Sequence, residues 1–278
     1  IGDVVENEAF VNRFDYQKTF INKKLRLKYS GVLSSGTQST NNNNAEFPNR
    51  INWKQEVVLI EDKDTTDVAN ERVNHAHRLS LTYTLNSRHK VMLNNFYARS
   101  RIFRKDFIDP FFSVGFSAEP VNRNEIPSFF TKNVSAVEWK GSWLNEKLAT
   151  VFFGKQYYYN ANTVIQLSSN EFRQEITDLF YGYGAALKYT FTDNFFIRGS
   201  YENAFRMPTE LEVYGDLGNT LANFNLRPER SDNFNLGVYY EKEFDGLFKI
   251  RSSVDGFIRD TKDLIALIAL VQDQTFRY

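Results

Sequence analysis

Tyr181, Tyr183, Ala185, Leu187, Tyr189 and Phe191 fall on every second position, with Gly182, Gly184, Ala186, Lys188 and Thr190 between them. A period of two means a strand with one apolar and one polar face. After Thr192-Asp193-Asn194 the pattern resumes, with Phe195, Ile197, Gly199 and Tyr201 against Arg198, Ser200 and Glu202. This is a tight hairpin whose arms run to about ten residues, the length that a tilted strand needs to cross a bilayer.

The unit recurs. Leu79, Leu81, Tyr83 and Leu85 alternate with Arg78, Ser80, Thr82 and Thr84 before a turn at Asn86-Ser87-Arg88. Val137, Trp139 and Trp143 lead to Asn145-Glu146 and then to Leu148 through Tyr159. Phe234, Leu236, Val238 and Tyr240 reach Asp245-Gly246, followed by Phe248, Ile250, Val254 and Ile258 against Lys249, Arg251 and Asp255. At the start, Phe10, Phe14, Tyr16 and Phe20 meet Asn22-Lys23, and Leu25, Leu27 and Tyr29 interleave with Lys24, Arg26 and Lys28. Val91 to Leu93 and Val151 to Phe153 are apolar on both faces.

Turn centres near 22, 87, 145, 193 and 244 alternate with polar connections over 34–75, 102–133, 160–179 and 205–229. A short extra strand is expected at 50–60. Short turns at one end and long loops at the other are the layout of an outer-membrane barrel. Strands of a soluble sandwich average about five or six residues, and its connections are short at both ends. Aromatic residues near the strand ends, Tyr181, Phe191, Tyr201 and Trp143, suit interfacial girdles. The fold expected is therefore all-β, a transmembrane antiparallel up-and-down β-barrel. Five hairpins give ten strands, either a closed barrel or part of a wider cylinder.

Composition narrows the function. Lysine plus arginine and aspartate plus glutamate both number 34, and this balance argues against nucleic acid as a partner. The longest apolar run, Leu264 to Val271, is too short for a transmembrane helix. Cysteine is absent, which removes thiolate metal sites, disulfides and cysteine nucleophiles together. Ile1 opens with neither a charged leader nor an apolar signal core, so we expect a processed chain or a piece of a longer one.

One segment is more specific. Gly199-Ser200-Tyr201-Glu202-Asn203-Ala204-Phe205-Arg206-Met207-Pro208-Thr209-Glu210-Leu211 is followed by Tyr214-Gly215-Asp216. Asn223-Phe224-Asn225-Leu226-Arg227-Pro228-Glu229-Arg230-Ser231-Asp232-Asn233 then leads to Asn235-Leu236-Gly237. This resembles the C-terminal half of the barrel of TonB-dependent outer-membrane receptors, with Met207 where leucine is commoner and Arg227 where lysine often sits. Arg259 to Ile265 resembles the next strand end of that family. Arg206, Pro208, Leu226, Pro228 and Glu229 are read as structural residues of the motif: the prolines break strand pairing where the chain leaves and rejoins the sheet, and Arg206 and Glu229 can pair across the loop.

The resemblance implies a 22-stranded barrel around an N-terminal plug that contacts TonB, and at about 55 residues per hairpin the eleven hairpins of the barrel need on the order of 600 residues. Residues 1–278 are accordingly expected to be a partial barrel domain, about ten strands of it, with the plug and the last strands absent. The implied function is active uptake of a scarce nutrient across the bacterial outer membrane, in contact with outer-membrane lipid and energised through the TonB complex. No catalysis and no cofactor are implied.

The chemical candidates are few. His75 and His77 share the parity of Leu79 and Leu81 and read as interfacial histidines rather than a metal pair, while His89 sits at a short turn. Asp62, Asp64 and Asp67 lack the glycine and terminal glutamate of a dedicated calcium loop, and no metal site is expected. The alternative function is a self-contained ten-stranded pore or omptin-like protease, but the inward positions Arg198, Glu202, Lys249, Arg251 and Asp255 include no histidine. For a receptor, ligand contacts are expected from Arg101, Arg104, Phe111, Phe112, Tyr157, Tyr158 and Tyr159, although girdle or loop packing accounts for the same residues. Aromatic rings with arginine suit a ferric siderophore through stacking and charge, and equally haem, a corrinoid or a glycan.

Overall fold

In the computed structural model the alternating segments become ten long strands of one antiparallel sheet. The structure describes residues 4–41, 49–51, 57–59, 66–106, 127–167, 170–215, 220–221, 223–244, 246, 248–270 and 275–277. The strands are β1 (Val4–Phe20), β2 (Leu25–Asn41), β3 (Asn49–Ile51), β4 (Val57–Leu59), β5 (Thr66–Thr84), β6 (His89–Asp106), β7 (Ser128–Trp143), β8 (Leu148–Leu167), β9 (Asn170–Thr192), β10 (Phe195–Arg206), β11 (Thr220–Leu221), β12 (Glu229–Phe244), β13 (Phe248–Lys262), β14 (Ile268–Leu270) and β15 (Thr275–Arg277). Among the described residues there is a single helix, α1 (Glu210–Tyr214), which follows β10. The main sheet runs β1-β2-β5-β6-β7-β8-β9-β10-β12-β13, so strands adjacent along the chain pair in space. β1 and β13 are its two edges, and the sheet is not closed among the described residues.

Register puts the expected faces in place. Leu81, Leu93, Val137, Gly154 and Tyr183 form one row across β5 to β9. Leu187 pairs with Gly199, and Lys188 with Arg198 on the opposite face. One face carries Phe14, Tyr16, Leu93, Val137, Phe152, Leu187, Phe234 and Leu236, all well exposed. The other is laced by polar pairs such as Lys155 with Glu202 at 2.6 Å, Asn94 with Glu138 at 2.9 Å and Arg251 with Glu241 at 3.1 Å. Arg198 lies over the Tyr239 ring at 4.1 Å and Lys188 over Phe196 at 4.0 Å. Unsatisfied backbone groups are costly away from water, and the continuous ladder satisfies them while leaving side chains to decide which face meets which solvent.

The tight turns follow from asparagine. Ile21, Asn22 and Lys23 have φ of 51°, 48° and 67°, and Leu144, Asn145 and Glu146 have 52°, 53° and 71°. The left-handed region disfavours most side chains, and asparagine tolerates it best after glycine, so both turns centre on one. Asn86 shapes its own turn, its side-chain oxygen accepting from the Arg88 and His89 amides at 2.8 and 2.9 Å. Above these turns, Trp139 and Trp143 meet edge to face at 5.8 Å, and Trp143 Nε1 donates to Thr150 Oγ1 at 2.9 Å.

The structure corrects two expectations. Most of the long strands exceed the ten or so residues expected, with 23 in β9 and 20 in β8, so 34–41, 66–75, 160–167 and 170–179 are ladder rather than loop. Past the apolar band both sides of a strand meet polar surroundings, and the hydrophobic period vanishes while the hydrogen-bond ladder continues. The short strand expected at 50–60 is instead a small hairpin of β3 and β4.

Leu187→Arg in the whole protein is expected to cost about 2–4 kcal/mol if its face lies at a bilayer midplane. Lys188→Arg is expected to be nearly silent, because either cation covers the Phe196 ring. Urea unfolding in bilayers is the measurement, and equal tolerance at both positions would sink the assigned faces.

Candidate functional site

The connection after β10 folds back on to the polar face instead of leaving the sheet. β10 ends at Arg206, Pro208 is fully buried, and β12 begins at Glu229 just after the buried Pro228. Proline cannot donate to a ladder, which fixes both exits. Thr209 then caps α1: its hydroxyl accepts from the Glu212 amide at 3.3 Å, and Glu212 accepts from the Thr209 amide at 2.7 Å. This reciprocal capping box satisfies two otherwise orphaned donors, enough to hold a helix of five residues. Gly215 ends it with φ of 68°, a left-handed value that glycine adopts without strain.

The helix is tied to strands that are distant in sequence. Val213 is 0% exposed and joins Ile102 of β6, Phe130 of β7, and Tyr159 and Ala161 of β8. Full burial of a valine contributes about 1.5–3 kcal/mol. Tyr214 packs edge-on to Phe130 at 6.1 Å, and its hydroxyl donates to the Phe129 carbonyl at 2.6 Å and to that of Asn162 at 3.3 Å. Glu210 accepts from the Ser100 hydroxyl and pairs with Arg72 of β5 at 3.3 Å. Ile176 and Phe180 of β9 complete the packing.

Arg206 is the centre of the clasp. It meets Glu212 at 3.0 Å and Glu229 at 2.8 Å, and Glu229 also accepts from the Ile265 amide at 2.8 Å. Donating to both carboxylates, Glu229 above all, pushes the guanidinium pKa up. Arg206 in turn holds the Glu229 carboxyl below the usual range, helped by the Ile265 amide. Leu226 takes part through its backbone, its carbonyl accepting from the Tyr159 hydroxyl at 3.4 Å.

The candidate ligand residues whose side chains are described, Arg101, Tyr157, Tyr158 and Tyr159, are not brought together on one face. Strand alternation splits the tyrosine run: Tyr157 and Tyr159 lie on the polar face and are buried, at 7% and 0% exposure, and Tyr158 points the other way. Tyr157 is covered by Phe205 at 5.8 Å between ring centres, and Tyr159 by the clasp. Arg101 is exposed on the apolar side, its guanidinium 5.9 Å from the Phe103 ring. Arg104 belongs to β6, with its side chain outside the described residues, as are Phe111 and Phe112 altogether. Asp62 and Asp64 also lie outside them, and among the described residues no group of three His, Asp or Glu is placed to hold a metal. His75 and His77 sit on the apolar face with ring centres 5.8 Å apart, and His77 Nδ1 shares a hydrogen bond with the Tyr29 hydroxyl at 2.7 Å. The clasp residues Glu210, Glu212, Val213 and Tyr214 were not anticipated as a unit. The signal for them was Thr209-x-x-Glu212, the sequence form of a capping box.

Tyr214→Phe removes a buried donor from two carbonyls and is expected to cost about 0.5–1.5 kcal/mol. It should speed proteolysis within 207–228 ahead of any cut in β8 or β9; an unchanged cleavage rate would remove the clasp's role. Glu229 has a folded pKa below its unfolded one. Its stabilisation is therefore complete above the ordinary glutamate value of about 4.3 and lost as pH falls through the depressed value. Protease sensitivity of the segment should rise over that acid window, and Glu229→Gln should abolish the pH dependence.

The chain matches a family model described as TonB dependent receptor-like, beta-barrel, over residues 5–278. No curated protein sequence matches it. Among solved structures, the copper transporter OprC aligns with a TM-score of 0.66 at 11% identity, over 98% of this chain and 41% of that one. The FrpB iron transporter from Neisseria meningitidis (F5-1 variant) aligns at 0.63 and 12%, over 95% and 37%. BauA, the ferric preacinetobactin receptor from Acinetobacter baumannii, aligns at 0.56 and 13%, over 91% and 37%. The chain thus spans well under half the length of these proteins. The family match covers nearly every residue, the fold agrees with it, and the chain belongs to the TonB-dependent receptors as β-barrel sequence.

Proposed function

We propose that this chain is part of the barrel wall of an outer-membrane receptor of a Gram-negative bacterium that takes up a scarce nutrient, such as a ferric siderophore, with energy delivered through TonB. The family match over residues 5–278 carries the reading. The structural neighbours named as copper, iron and ferric-siderophore proteins support its metal-chelate form. In this reading the apolar face meets lipid, the polar face lines the lumen, and the plug that engages TonB lies elsewhere in the whole receptor. The wall does no covalent chemistry: it positions loops that capture the ligand.

Burial supports a division of parts along the wall. Tyr157 and Tyr159 shape the wall beneath the clasp, and Tyr158 and Arg101 belong to its other side. Arg104, Phe111 and Phe112 remain the proposed ligand contacts, offering a cation and two aromatic rings to a flat anionic chelate.

The test is uptake by cells carrying the whole receptor, using iron-loaded catecholate and hydroxamate siderophores, haem, cobalamin and copper as separate probes. One probe should enter saturably and stop entering when the proton gradient is collapsed. Flux that persists without the gradient would overturn the energised reading. Phe111→Ala with Phe112→Ala is expected to weaken capture of that probe about two- to tenfold per ring, from the ~0.5–1.5 kcal/mol of an aromatic contact.

A further inference from the structure

The apolar face carries one band in which polarity changes in ordered steps. The row Leu81, Leu93, Val137, Gly154 and Tyr183 is apolar, and the next row towards the long connections is Leu79, Asn95, Ser135, Gln156 and Tyr181. Two rows further on stand His75, Arg99 and Thr131, and then Arg101 beside Phe129. Leucines on one flank and tyrosines on the other rise above a floor made low by Ser135 and Gly154. The result is a groove of about 630 Å³, within the range of small-molecule sites. A Cβ added at Gly154 would meet nothing within 4 Å, so the space over the floor is open.

The polar step is organised. Asn95 donates to Asn133 at 3.1 Å and to Ser135 at 2.9 Å, and Ser135 donates to Asn133 at 3.1 Å. Gln156 makes no side-chain hydrogen bond among the described residues. Asparagine, serine and glutamine facing hydrocarbon are costly unless something polar meets them. Above them Arg99 lies over the Phe129 ring at 4.7 Å, and neither it nor Arg101 has a carboxylate within ion-pair distance among the described residues.

We propose that this groove is a binding site for a phosphorylated, acylated lipid of the outer leaflet. An acyl chain lies on Gly154 between Val137 and Tyr183, its carbonyl or hydroxyl meets Gln156 and the Asn95–Ser135 pair, and its phosphate meets Arg99 and Arg101. The order apolar, amide and hydroxyl, cationic follows that of such a lipid from tail to head, and charge complementarity selects an anionic headgroup. The proposal rests on the apolar face being the lipid-facing side of the barrel.

The test is native mass spectrometry of the whole receptor in detergent, titrated with bis-phosphorylated lipid A, with its dephosphorylated form and with phosphatidylcholine. Heat-modifiable migration of the folded barrel is checked in parallel, so that loss of the barrel is told apart from loss of the site. Gly154→Leu fills the floor without a backbone clash and should weaken lipid A binding at least tenfold in a barrel that still migrates as folded. Arg99→Gln with Arg101→Gln should erase the preference for the phosphorylated form. Wild-type binding in Gly154→Leu, or equal binding of phosphatidylcholine, would overturn the proposal. A lipid-independent dimer lost in Gly154→Leu would also overturn it, in favour of a second copy as occupant.

Discussion

A backbone amide in hydrocarbon has no water to turn to, and this constraint organises the rest of the chain. Every long strand between the two edges is paired on both sides, and the hairpins follow one another around the sheet in chain order. With the backbone satisfied by neighbours, side chains at alternate positions are free to serve two environments. The aromatic and aliphatic residues of β1, β2, β9 and β13 serve one. The ion pairs of Lys155, Glu202, Glu241 and Arg251 serve the other. A helix could not divide its residues so evenly, which is why a hydrophilic average composition coexists with a continuous apolar wall.

The hairpins were legible because one face is apolar over a limited height. Leu79 to Leu85 and Tyr181 to Phe191 announce strands by parity alone; Asn22 and Asn145 mark their turns by tolerating left-handed backbone angles, and Asn86 marks its own by a side-chain oxygen that accepts from the turn amides. Strand length was not legible. In β8 and β9 the ladder pairs Asn162 with Glu175 and Thr163 with Gln174, residues whose polarity gives no period to read. The tyrosine run shows the same limit from another side, since three adjacent rings look like one cluster in sequence and alternation sends the middle one to the opposite face.

The clasp was half visible. Arg206 and Glu229 stood out through a family motif, and their ion pair is present at 2.8 Å. Glu212, which shares the same guanidinium, did not stand out, because a helix of five residues is too short to show a period of 3.6. Only the Thr209–Glu212 spacing marks it, and such a spacing gains meaning from what the helix packs on. Ser100 and Glu210 are 110 residues apart in sequence, a pairing that no local pattern encodes.

That long-range attachment has a mechanical side. Glu210 reaches β5 and β6 while Arg206 and Glu229 hold β10 and β12, so the short helix bridges the two ends of a seven-strand arc without following it. A chord fastened at both ends of a curved sheet limits how far that arc can flatten or splay. The segment between β10 and β12 therefore acts as a brace on the sheet, and any event that lifts it would release the curvature of those strands as well as reshape a loop.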